Sequence, residues 1–225
     1  MANDRQLTEQ GKERKRQLLD AAGTLFAERG YAETRVIDIV KQAGVAKGLF
    51  YWYFENKEAL FRELVGHIRL RLRQHQARAI SPTAEPLLQI RQGAESSMEF
   101  MSSHAPFFSL LEVEGVEQRF ADVLRKGTEV HAADVAALIQ AGIDNGTVRD
   151  DDPSLLAYGV VGAVGYYGHF HRTGRAALPL PELAAFVGRF VVCSLAADTE
   201  TARRVLTSDL TVAPGQPAST RAAGG

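Results

Sequence analysis

Residues 43–60, AGVAKGLFYWYFENKEAL, set a glycine stop, a short cationic and aromatic segment and a new helix start back to back. Just upstream, Val36, Ile39, Val40 and Ala43 fall at i, i+3, i+4 and i+7, the apolar face of a short helix. Thr34 is its expected N-cap. Gly44 ends that helix at little steric cost in a left-handed conformation, and Val45 plugs the angle to the next helix, which starts near Ala46. Phe50 and Phe54 stand four residues apart and face inward, which turns Lys47, Gly48, Leu49 and Tyr51, with Tyr53 beside them, toward the outside. Asn56 caps a further helix, whose first turn holds Lys57 and Glu58 and whose unpaired amides suit a phosphate oxygen. A helix that buries two rings and displays lysine, glycine and aromatic groups fits a small core on one side and a nucleic-acid groove on the other.

The spaced set Gly30, Tyr31, Ile39, Val40, Ala43 and Gly44, continued by Val45, Lys47, Gly48, Tyr51, Phe54, Lys57, Glu58 and Leu60, resembles the helix-turn-helix of TetR-family transcription regulators. The resemblance is specific over the first quarter of the chain; beyond it, only length and helix layout are similar. It implies that Lys47 reaches base edges or phosphate, that Gly48 brings backbone close to the groove, and that the Tyr51 hydroxyl and Lys57 contact phosphate. The family places hydroxyl residues where this chain has Arg35, Ala46 and Leu49. Arg35 would substitute a charged phosphate contact, Ala46 gives up a side-chain cap, and Leu49 can touch a thymine methyl but reads no donor or acceptor. Thr34, Trp52 and Tyr53 complete the candidate DNA-contact set, although a ring as large as that of Trp52 more often packs than stacks on bases.

Charge is distributed in keeping with that surface. The whole chain is nearly neutral at −1, but residues 1–78 hold 15 Lys and Arg against 10 Asp and Glu, whereas residues 79–225 hold 11 against 17. A phosphate-binding face needs local positive charge, and its affinity falls with salt as counterions are released. The basic cluster Lys12, Arg14, Lys15 and Arg16 could approach the DNA backbone or simply be solvated. A single cysteine, Cys193, excludes an intrachain disulfide, and with no signal peptide in evidence a cytoplasmic location is expected. Cys193 lies in an apolar helical run and is expected to be buried and inert.

The remaining pattern is helical throughout, with no strand-like alternation, and the fold class expected is all-α. Residues 1–10 read as a polar arm. Residues 11–56 form a three-helix unit whose first helix spans about 12–29, with Leu18, Ala22, Leu25 and Phe26 inward and Gly30 as its stop. Residues 57–205 form a larger helical ligand-binding and dimerisation domain, joined to the first by a long fourth helix with Leu60, Phe61, Leu64, Val65, Ile68 and Leu72 on one stripe. The segment 206–225, rich in Pro, Gly, Ala and Ser, is expected to be disordered. Gly159, Gly162, Gly165 and Gly168 recur at every third position of one helix, each costing about 1 kcal/mol relative to alanine. Close helix approach or ligand space would compensate, whereas about sixteen apolar residues are too few for a membrane span.

The resemblance further implies that the last two long helices pair with their copies in a homodimer. Two-fold symmetry then requires a roughly palindromic double-stranded operator, and a small-molecule effector moves the fourth helix to release it. For the effector pocket the expected residues are Met98, Met101, Phe107, Phe108 and Leu111, then His131, Asp134 and Leu138, and finally Tyr158, Gly162 and Tyr166, which combine apolar bulk with a few polar tips. No cofactor and no metal are expected: His169 and His171 point to different helix faces, and no nucleophile motif or phosphate-cradling loop occurs. A ligand-released repressor is the reading preferred. The alternatives are a sequence-indifferent DNA-binding protein and a helical enzyme.

Overall fold

The computed structural model describes residues 8–112 and 116–208. Among them are ten helices and no strand, only an isolated bridge between Val148 and Ala196. Helix α1 (Glu9–Glu33) starts earlier than its apolar periodicity predicts, because the Thr8 hydroxyl accepts the Gly11 amide at 3.2 Å and caps it. Leu18, Ala22, Leu25 and Phe26 are buried as expected, and Gly30, at φ +82°, interrupts the helical conformation before a final turn. Helices α2 (Val36–Gln42) and α3 (Lys47–Tyr53) follow, joined through Gly44 at φ +65°, the left-handed value anticipated for it. Asn56 caps α4 (Lys57–Ala79) by accepting the Ala59 amide at 2.8 Å.

Thr34 does not cap α2. Its side chain is fully buried and its hydroxyl donates to the carbonyls of Gly30 at 2.8 Å and Leu25 at 3.2 Å, sealing the end of α1. Arg35 takes the N-cap position instead, and the Asp38 carboxylate accepts its amide at 3.2 Å. Burial under the α1 terminus also removes Thr34 from any DNA-facing surface.

Helices α5 (Pro86–Ser103), α6 (Ala105–Leu111), α7 (Val116–Asp144), α8 (Pro153–Arg172) and α9 (Leu180–Leu195) complete the expected layout. Helix α10 (Thr199–Thr207) extends it, capped by Asp198 on the Thr201 amide at 2.7 Å. Two apolar cores result. The first joins α1, α2, α3 and α4 to α6 and the start of α7, with Tyr31 edge-on to Phe61 and Phe120, and those two tilted against each other, at centroid distances of 4.1 to 5.3 Å. Burying each such ring contributes about 1.5–3 kcal/mol, so the N-terminal helices are tied to α7 by aromatic packing as well as by the chain. The second core lies among α5, α7, α8, α9 and α10. There, a Cβ at Gly188 would fall 2.1 Å from the Glu95 carboxylate and one at Gly168 would fall 2.7 Å from the Met101 methyl, which brings α9 onto α5 and α8 onto α5.

Gly168 thus has the close approach predicted for the glycine series, whereas Gly159, Gly162 and Gly165 face open space within the protomer. Cys193 is exposed, not buried, because α9 buries Leu183, Val187 and Val191 and turns Phe186, Phe190 and Cys193 to the other side. Among the described residues no helix is long and apolar enough to cross a membrane. The tail from residue 209 and the first seven residues lie outside the described residues.

Candidate nucleic-acid interface and effector cavity

Helix α3 buries Phe50 and Phe54, whose rings lie 5.6 Å apart, and this fixes which side faces out. Lys47, Gly48, Tyr51 and Trp52, at i, i+1, i+4 and i+5, form one exposed strip. Tyr51 and Trp52 each keep 52% of their surface accessible, a large exposure for aromatic rings on so short a helix. The Lys47 ammonium lies 6.0 Å from the Tyr51 ring centroid, close enough for the ring face to steady it. A Cβ added at Gly48 would meet nothing within 4 Å among the described residues, so its backbone can be reached closely. Ala46 is the exposed N-cap of α3 and supplies no side-chain cap, as expected from its methyl. Arg35 is also exposed, paired to Asp38 at 3.2 Å.

Three sequence-predicted contact residues are placed otherwise, with Thr34, buried beneath α1, making a fourth. The Tyr53 hydroxyl donates to the Gly11 carbonyl at 2.8 Å and ties α3 to α1. Leu49 is half-buried at the flank of the exposed strip. Lys57 is the clearest correction: its ammonium donates to the carbonyls of Tyr31 at 2.6 Å, Thr34 at 2.8 Å and Ala32 at 3.3 Å, and sits 4.3 Å from the Tyr31 ring centroid. Three donors are all an ammonium has, so none is left for a phosphate. Burial, reinforced by nearby Arg119, lowers its pKa. The basic start of α1 is largely paired: Lys12 with Glu9, Arg16 with Glu13 and Asp20, and Lys15 with Glu63 of α4 at 2.5 Å, while Arg14 donates to the Gln17 amide oxygen.

The expected effector residues separate into four groups. Phe107, Phe108, Leu111 and His131 line a cavity of about 280 Å³ between α4, α6, α7 and α8. Asp134 and Leu138 line a second, of about 270 Å³, which meets the first at His131. Met98 and Met101 are core side chains packed away from both. Tyr158, Gly162 and Tyr166 lie on the outer face of α8, since that helix turns Ala157, Val160 and Val164 inward; they line neither cavity. Sequence reasoning missed Arg69, Arg73 and Thr128, which also line the cavities. The signal was present in α4, where Arg62, Arg69 and Arg73 recur at i, i+7 and i+11 on the side that meets α7.

Three cationic contacts lace α4 to α7 along that side. Arg62 pairs with Asp122 at 2.6 Å, Arg69 donates to the Leu124 carbonyl at 2.8 Å, and Arg73 pairs with Asp134. Burial lowers the pKa of His131, which lines both cavities, despite the neighbouring Asp134.

A short helix held by a glycine turn, with a cationic and aromatic outer strip and a helical domain behind it, defines a helix-turn-helix DNA-binding regulator. The family model described as bacterial regulatory proteins, tetR family, matches residues 18–64. The regulator EthR of Mycolicibacterium smegmatis is 30% identical over 148 residues, 64% of this chain and 68% of that protein. The transcriptional repressor NicS of Pseudomonas putida is 26% identical over 159 residues, covering 69% of this chain and 75% of NicS. The fatty acid degradation regulator FadR of Bacillus halodurans has a similar fold, with a TM-score of 0.70 at 19% identity over 79% of this chain and 94% of that one. The chain belongs to the TetR family of transcriptional regulators.

Proposed function

We propose that the protein is a repressor that binds a palindromic operator as a homodimer through α3 and leaves it when a small molecule occupies the cavity beside α4. The observation that carries the DNA-binding face is the exposed strip of Lys47, Gly48, Tyr51 and Trp52 on a helix otherwise pinned inward by two phenylalanines. Lys47 supplies charge to base edges or phosphate, Tyr51 a hydroxyl, and Arg35 a second cation at the start of α2. Division of labour follows the proposed domains: residues 11–56 meet DNA, and residues 57–205 hold the effector and the second subunit.

Support for the dimer comes from the outer faces of α8 and α9. Leu155 is 70% exposed and Tyr166 63% exposed, and Tyr158, Phe186 and Phe190 join them around open glycines. A contiguous apolar face of this kind on two adjacent helices fits a self-complementary interface, in which glycines admit the partner backbone closely. The two α3 helices of such a pair meet half-sites about 34–36 Å apart. An effector beside α4 changes that separation through the α4–α7 contacts, and release follows from its better binding to the mismatched spacing.

Selection of bound duplexes from a random pool, at several salt concentrations, tests the reading. It predicts an inverted repeat and a steep fall of affinity with salt. Equal binding to scrambled duplexes would favour a sequence-indifferent binder instead.

A further inference from the structure

The three arginines that α4 directs at α7 are not equivalent. Arg62 has Asp122 and Glu58, and Arg73 has Asp134. Arg69, between them, is half-buried, yet among the described residues no carboxylate lies within ion-pair distance of it; its one acceptor there is the Leu124 carbonyl. It stands at the wall of the apolar cavity formed by Val65, Leu72, Phe107, Phe108, Leu111 and Leu124. The neighbouring wall is cut away to admit it: a Cβ at Gly127 would fall 1.3 Å from the Arg69 Cζ. A glycine that makes room for a guanidinium, beside an apolar space, places an uncompensated cation where a charge is costly unless it is paired. Burial accordingly lowers the Arg69 pKa.

Resting on the assignment of this cavity to the effector, we infer that the effector is an amphiphile with a carboxylate head, bound by Arg69 with its tail in the apolar cavity. The guanidinium keeps donors beyond the one given to Leu124 and offers a planar fork that matches a carboxylate. His131, which also lines this cavity, adds a ring N–H donor.

Calorimetric titration of the full chain with decanoate, decanol and decylamine tests this. The parent is expected to bind decanoate about ten-fold or more tighter than decanol, with decylamine weakest. Arg69→Gln keeps an N–H for Leu124 but no charge, and should abolish the preference while leaving decanol within about two-fold of the parent. Gly127→Ala, whose methyl evicts the guanidinium, should act the same way; thermal melts establish that both variants fold. Comparable affinity for decanoate and decanol in the parent, binding of none of the three, or a preference that survives Arg69→Gln would each overturn the inference. Operator affinity is followed in the same samples: a chain that binds decanoate but never DNA contradicts the proposed function alone.

Discussion

At the scale of single residues, two lysines ten positions apart have opposite destinations. Lys47 projects from α3, its ammonium over the Tyr51 ring, whereas Lys57 spends all three N–H bonds on the end of α1. Lys47→Ala should therefore lower operator affinity by about 1–3 kcal/mol and reduce the salt slope by about one, because a cation at a phosphate or base edge is lost. Lys57→Met should leave the salt slope unchanged and lower the stability of the fold by about 1 kcal/mol, since part-buried carbonyls lose a charged donor. Fluorescence anisotropy against duplex at three salt concentrations, with a thermal melt of each variant, separates the two; a salt slope that falls with Lys57→Met would return that residue to the DNA surface. The residue types were legible in the sequence, as were the inward turn of Phe50 and Phe54 and the conformation of Gly44, because helical spacing and a missing Cβ are local properties. Lys57 and Thr34 were not, since both serve the C-terminus of α1, and which carbonyls are left open there depends on how α4 packs across it.

At the scale of elements, α8 separates the two compensations that its glycines require. Gly168 is filled by Met101 from α5, whereas a Cβ at Gly159, Gly162 or Gly165 would meet nothing within 4 Å among the described residues. Gly162→Ala should then stabilise the isolated protomer by up to about 1 kcal/mol through helix propensity, with no clash inside the chain. Gly162→Leu should weaken self-association, because the added side chain occupies the groove that a partner helix would enter. Sedimentation equilibrium across a range of protein concentrations reads the second effect, and dilute thermal melts the first; association unchanged by Gly162→Leu would place the subunit interface elsewhere. Periodicity revealed α8 but not which stripe faced in, because Tyr158, Gly162 and Tyr166 repeat at helical spacing as regularly as Ala157, Val160 and Val164. Helix α10 escaped for a related reason: Val205 is its one buried residue, and Arg91 of α5, donating to the Val205 carbonyl at 2.9 Å, fixes its end from 114 residues away.

At the scale of the whole molecule, His67 and His104 lie where the DNA-binding helices meet the rest and His131 lies inside the effector domain, and burial lowers the pKa of each. His67 faces Asp20 and Arg16 of α1 with Arg71 of its own helix; His104 faces the Phe100 carbonyl, Arg71 and His75; His131 faces Asp134, Arg73 and Arg69. In every case desolvation outweighs the nearby acceptor or carboxylate, so the folded chain binds protons on these rings less readily than the unfolded chain does. Where the unfolded state holds more protons, stability rises with pH. Folding should accordingly be at full strength above pH of about 7.5 and weaken progressively as the pH falls through the ordinary imidazole value of 6.5 toward 5. Asp38, Asp122 and Asp198, whose pKa values hydrogen bonds lower, act in a separate window, losing their contribution only below the ordinary aspartate value of 3.8. Scanning calorimetry between pH 5 and 8 should show a falling Tm on acidification, and His131→Gln should flatten part of that slope by removing the ring that must otherwise be charged inside the effector domain. A Tm that climbs as the pH drops from 7.5 to 5.5, or a slope indifferent to His131→Gln, would mean that carboxylate neighbours hold these imidazoles protonated and that burial is the lesser effect.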